Sequence, residues 1–106
     1  MIMSKYKPQE VMLRDFESNM SRKALLASFK HRDGTPFVLG TFHLESNGGD
    51  GPYRAKQLGL LSTITNGMDR VILAGDTNFS NSNEASALDP SKYKDAWTTL
   101  KPSERG

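Results

Sequence analysis

Apolar residues along the chain fall into short runs separated by polar, glycine-containing links, with one longer stretch at helical spacing. Val71-Ile72-Leu73-Ala74 is the plainest run. It is short, partly β-branched and without polar alternation, which predicts a strand buried on both faces. Gly75 follows, and the expectation is that it ends the strand and lets the backbone turn sharply. Lys23 to Lys30 predicts a second strong strand. Leu25, Ala27 and Phe29 face one way and Ala24, Leu26 and Ser28 the other, so this strand too is expected inside a sheet covered on both sides. His31-Arg32-Asp33-Gly34-Thr35 is a turn with Asp-Gly as its strongest signal, and Pro36 to Glu45 returns as a strand. Residues 23–45 therefore read as a β-hairpin. Period-two alternation puts Thr41, His43 and Glu45 on one face and Phe42 and Leu44 on the other.

The helical stretch begins at Pro52, which suits a first helical turn because it lacks only an N–H that would be unpaired there. Leu58, Leu61 and Thr65 form a stripe that Leu60 and Ile64 widen, and Asn66-Gly67 is a fitting end. Strand, helix and strand with short links make a βαβ unit, so the strands before and after the helix should run parallel with their carboxyl ends on one edge. The remaining patterns are weaker. Met1 to Tyr6 is expected as a short strand, Val11 to Phe16 as a half-exposed one, and Glu84 to Leu88 as one helical turn capped by Asn83. Tyr93 to Leu100, with the only tryptophan, should be short and partly helical, and Lys101 to Gly106 irregular.

At 106 residues the chain makes at most one small domain with a modest core. Without cysteine it has neither a disulfide frame nor a thiolate metal site. No run approaches membrane-spanning length and the amino terminus has no signal-peptide pattern, so the expectation is an intracellular protein that is not secreted and not in a membrane. A net charge of only +2, with basic residues dispersed, argues against an extended nucleic-acid surface but leaves room for a local phosphate pocket.

The candidate chemistry sits where the two parallel strands end. Asp76 and Asn78 follow the Val71 run, and if extended geometry persists they point to one side. They equally suit a turn, since Asp, Asn and Gly favour turns. His43 lies at the end of the other parallel strand and could converge with them. His31 lies on the hairpin turn and reads as an exposed structural residue, and Arg54, near a helix start, as the partner of a nearby carboxylate. Glu45 is expected to orient His43 or pair with Arg54, and Trp97 to pack in or against the core.

Thr41-Phe42-His43-Leu44-Glu45-Ser46 and Gly75-Asp76-Thr77-Asn78 together resemble the endonuclease/exonuclease/phosphatase superfamily, most of all its tyrosyl-DNA phosphodiesterase branch. Ile2-Met3-Ser4-Lys5-Tyr6 is similar to that branch's Ile-Leu-Ser-Arg-Tyr, Arg54 and Gln57-Leu58 to its Arg-x-x-Gln-Leu helix, and Asp95-Ala96-Trp97 to its Asp-Val-Trp. The resemblance implies a fold and a chemistry. The fold is α/β: part of a two-sheet β-sandwich flanked by helices, containing the hairpin and the βαβ unit. The chemistry is metal-dependent phosphodiester hydrolysis, on DNA 5′ ends such as 5′-tyrosyl adducts or on another phosphodiester, with Mg2+, or Mn2+ in its place, as cofactor. It implies that Asp76 orients and deprotonates the attacking water and touches the metal indirectly. Asn78 would steady that centre and bind a phosphate oxygen, His43 would contact the scissile phosphate, and Ser46 would lie beside it.

The branch's motif continues Leu-Arg-Asp where this chain has Phe79-Ser80-Asn81. The family's Thr-Trp-Asn, Leu-Gln-Glu and Ser-Asp-His segments are absent from residues 1–106, and the Glu of Leu-Gln-Glu is its principal magnesium ligand. The expectation is therefore a central part of the domain, inactive alone, with exposed sheet edges that favour self-association. A repair role would place it in the nucleus. The rival readings are a non-catalytic binding or scaffolding piece of the same fold, and a superfamily phosphatase acting on another phosphate ester.

Overall fold

The computed structural model describes residues 1–105. Four strands form one mixed sheet in the order β1 (Glu10–Asp15), β2 (Lys23–Lys30), β3 (Pro36–His43) and β4 (Val71–Asp76). The β2–β3 hairpin is antiparallel and turns through Gly34, whose φ of +87° is natural only for glycine. Helix α1 (Gly51–Ile64) carries the chain across to β4, which pairs with β3 in parallel, as the βαβ pattern requires. Pro52 sits in the first turn of α1, and Gly67, at φ +82°, follows its end.

One face of the sheet packs on α1. Leu58 and Leu61 of the helix meet Ala24, Leu26, Leu44 and Phe16, with Met12, Val38, Phe42 and Leu73 closing around them. On the other face, residues 2–8 lie over Leu25, Ala27 and Phe29, so β2 is covered on both sides as its composition predicts. Elsewhere that face is open: Leu13 is 57% exposed and Ile72 62%.

Several expectations change. Residues 1–6 hold no strand; the chain bends at Lys5 and Tyr6, with Ser4 Oγ donating to the Tyr6 carbonyl. β4 is the outer strand of the sheet and only its inner face is packed, so its apolar run is not buried on both faces. Gly75 lies within β4 and does not end it. Its use is close approach, because a Cβ there would stand 2.1 Å from the Phe42 carbonyl oxygen. The turn at Ser82–Ala87 is 3-10 and is capped by Asn81, not Asn83. Trp97, in α2 (Ala96–Leu100), is 45% exposed and lies outside the core. Lys101 to Arg105 hold no helix or strand, and Gly106 lies outside the described residues.

Candidate active site

Parallel pairing of β3 and β4 sets His43 opposite Asp76 at the carboxyl ends of both strands. His43 Nε2 stands 3.7 Å from Asp76 Oδ2, with both side chains about half exposed on the open side of the sheet. Asn78 arrives differently from the expectation. β4 stops at Asp76, and Asn78 adopts a left-handed backbone, φ +49°, which asparagine tolerates better than most residues. Its N–H donates to Asp76 Oδ1 at 3.0 Å, and its Nδ2 donates to the Leu44 carbonyl at 2.9 Å and to Ser46 Oγ at 3.3 Å. A local turn, rather than strand alternation, therefore brings Asn78 to Asp76 and Ser46. The turn and the convergence are one arrangement here.

Arg22, which the sequence did not single out, completes the cluster. Its Nη2 donates to Ser46 Oγ at 2.5 Å, and its Nη1 stands 3.1 Å from His43 Nδ1. A guanidinium has only donors, so His43 Nδ1 accepts and the proton of the neutral ring lies on Nε2, facing Asp76. A signal for Arg22 was available in the hairpin. The antiparallel register pairs Ala24 with Phe42, so the residues just before β2 must come back beside those just after β3.

Below this surface cluster lies a buried polar layer. β3 stops at His43, so the alternation expected through Glu45 does not persist. Glu45 is fully buried, turned away from His43, and it does not pair with the Arg54 side chain. Its carboxylate accepts from Ser18 Oγ at 2.6 Å, the Asn19 N–H at 2.9 Å and Gln57 Nε2 at 3.1 Å. The Ser18 hydroxyl foremost, with Gln57 and the Asn19 N–H, holds it below the usual carboxylate range. Arg54, also fully buried, donates to the carbonyls of Glu45, Asn47 and Gly48 and pairs with Glu84 at 2.5 Å. This is the carboxylate pairing expected of Arg54, and it ties the loop after β3 to the turn after Asn78. His31 is remote, paired with Asp33 on the hairpin turn at the other end of the sheet.

No family model and no curated protein matches the chain. Solved structures do. D. rerio TDP2 complexed with single-strand DNA product shares 31% identity at a TM-score of 0.79, over 92% of this chain and 41% of that one. The chain has the fold of the endonuclease/exonuclease/phosphatase superfamily. A truncated C. elegans TDP2 (tyrosyl-DNA phosphodiesterase 2) matches 92% of this chain and 41% of its own, with 25% identity and a TM-score of 0.76. The human Nocturnin catalytic domain with bound sulfate anion, at 19% identity and TM-score 0.70 over 89% of this chain and 39% of that one, shows the shared superfamily fold alone. The chain thus spans about two-fifths of the superfamily members it matches, and the four-stranded sheet with its α1 crossover is that part of the α/β two-sheet sandwich. No helix among the described residues is long and apolar enough to cross a membrane.

Proposed function

We propose that residues 1–106 are the central part of a metal-dependent phosphodiester hydrolase acting on DNA 5′ ends, such as 5′-tyrosyl adducts, in nuclear DNA repair. The observation that carries this reading is the convergence of His43, Ser46, Asp76 and Asn78, with the Arg22 guanidinium among them, at the carboxyl edge of two parallel strands. TDP2 complexed with single-strand DNA product favours a DNA substrate.

The roles follow from the donors and acceptors. Asp76 accepts the proton of a water whose oxygen attacks phosphorus as the bond to the leaving oxygen breaks. His43 presents Nε2–H to a phosphoryl oxygen and Arg22 offsets the charge that develops there, while Asn78, whose Nδ2 hydrogens go to Leu44 and Ser46, steadies the centre and reaches a phosphate oxygen by releasing Ser46. Ser46 sits between Arg22 and Asn78 and fixes their spacing.

Magnesium holds its waters tightly and is usually bound through one or two carboxylates. Asp76 is the one carboxylate in this cluster, and no group of three or more His, Asp or Glu among the described residues could hold a metal. These residues alone do not make a magnesium site, and no step above passes through one. Magnesium or manganese belongs to the proposal as a cofactor whose main carboxylate lies outside residues 1–106, with Asp76 reaching it indirectly. The lack of a metal-ligand cluster is also what favours the second reading, a non-catalytic binding or scaffolding piece of the same fold.

The test is a chimera in which this chain replaces the matching segment of D. rerio TDP2. We expect it to hydrolyse a 5′-phosphotyrosyl oligonucleotide with magnesium, while the isolated chain stays inert. Asp76→Asn should lower kcat by about 100-fold or more with little change in KM, since a proton acceptor acts in the transition state. His31→Ala should be silent. A folded but inert chimera would favour the non-catalytic reading, and turnover of another phosphate ester in place of DNA would move the substrate class.

A further inference from the structure

Glu45 stands in sequence between His43 and Ser46, yet its carboxylate bonds to neither. It is fully buried and faces three donors, two of them on the segment leading into β2: Ser18 Oγ and the Asn19 N–H. Ser18 Oγ, having given its proton to Glu45, accepts from the Met20 and Arg22 N–H groups, both at 3.0 Å. The residue before Arg22, Ser21, is left-handed at φ +56°, a conformation a serine keeps only where surrounding bonds hold it. Gln57 braces Glu45 from the helix side, accepting from its N–H at 3.0 Å and donating to its carboxylate. A continuous path therefore runs from α1 through Glu45 and Ser18 to the backbone of Arg22, whose guanidinium meets His43 and Ser46.

We propose that Glu45 is a positioning residue: its buried carboxylate holds the 18–22 turn so that Arg22 fixes His43 as the Nε2–H tautomer and anchors Ser46. The proposal rests on the phosphodiesterase reading only for its purpose, because the geometry at stake exists without substrate. The charge of Glu45 matters because Ser18, Asn19 and Gln57 all present donors. A glutamine there offers one acceptor oxygen and an NH2 that faces another donor, so a contact to the turn must break. Ser18→Ala removes the same link from the other end, at a half-buried site on the turn and away from the apolar core.

The experiment is 15N NMR of the two imidazoles in the full 106-residue chain above the histidine titration range, with His31 as internal reference. Wild type should show His43 almost wholly as the Nε2–H tautomer. Arg22→Ala should lower the tautomer ratio about tenfold, the scale of one charge-assisted hydrogen bond. Glu45→Gln and Ser18→Ala should each bring the ratio to the Arg22→Ala value, and Glu45→Gln combined with Arg22→Ala should lower it no further. If Glu45→Gln fails to fold by circular dichroism, Ser18→Ala carries the comparison. A wild-type ratio in Ser18→Ala or in folded Glu45→Gln, with Arg22→Ala shifted, would overturn the role of Glu45. An unshifted Arg22→Ala would overturn the tautomer mechanism as well. An inert TDP2 chimera would count against the phosphodiesterase reading and leave this result standing.

Discussion

Gly75→Ala is the smallest change that tests how the two halves of the site are brought together. An added Cβ would lie 2.1 Å from the Phe42 carbonyl oxygen, 2.9 Å from its nitrogen and 3.0 Å from its carbonyl carbon. An ordinary carbon–oxygen contact is about 3.3 Å, so β3 and β4 must part by about 1 Å. These are backbone atoms and cannot swing aside as a side chain would. The shift falls on the Phe42–Gly75 and His43–Asp76 pairs and on the bond from the Leu44 N–H to the Asp76 carbonyl, now 2.9 Å. Overpacking costs about 1–3 kcal/mol and each weakened backbone bond about 1 kcal/mol, so the total is about 4 kcal/mol. Against a stability of about 5–15 kcal/mol for a domain, that is a large share. With a urea slope of about 1.5 kcal/mol per molar, the unfolding midpoint should fall by about 2.7 M or vanish. Two other glycines grade the effect. At Gly40 the Cβ would meet the end of the Leu73 side chain at 2.6 Å, which can move, so Gly40→Ala should cost about 1–2 kcal/mol. At Gly59, inside α1, nothing lies within 4 Å, and alanine should stabilise by about 0.5–1 kcal/mol. Urea unfolding followed by circular dichroism ranks the three. A Gly75→Ala midpoint equal to that of Gly59→Ala would show that the close approach of β3 and β4 does not govern this fold.

Two further outcomes are expected. Asp33 accepts from the Thr35 backbone N–H and hydroxyl, with His31 adding a smaller pull, and its pKa is lowered to about 2. A carboxylate depressed on folding stabilises above its unfolded pKa of about 3.9 and loses that contribution as pH falls through the folded value. Asp33→Asn should therefore flatten the stability profile between about pH 4 and 2 and leave it unchanged in shape above pH 5. A profile identical to wild type in acid would refute the assignment. The open face around Leu13 and Ile72 should drive self-association of the isolated chain, so Leu13→Lys with Ile72→Lys should shift sedimentation toward monomer without loss of helical signal. Unchanged association would place the contact elsewhere, at the free edge of β4 first.

What the sequence determined by itself was the local structure and its order. The bounds of β2 were legible because an apolar run sits between lysines and an Asp-Gly turn follows it. Helix α1 was legible because Pro52, a 3.6-residue stripe and Gly67 agree. A helix between two strands then dictates a parallel pair, which by itself puts His43 and Asp76 on one edge. Those signals act over a few residues, which is the range at which backbone preference and side-chain period operate. Only the tertiary structure decided the rest. Gly75 reads as a strand stop in sequence, and its need for close approach appears only once Phe42 lies opposite it. Alternation carried Glu45 to the side of His43, but β3 ends two residues earlier and the three donors that Ser18, Asn19 and Gln57 bring from distant segments draw the carboxylate inward. Arg22 joined the site because the hairpin register returns it beside Ser46, 24 residues away. In each case the deciding partner is far off in sequence, and its distance is set by strand register and packing together, which no local pattern encodes.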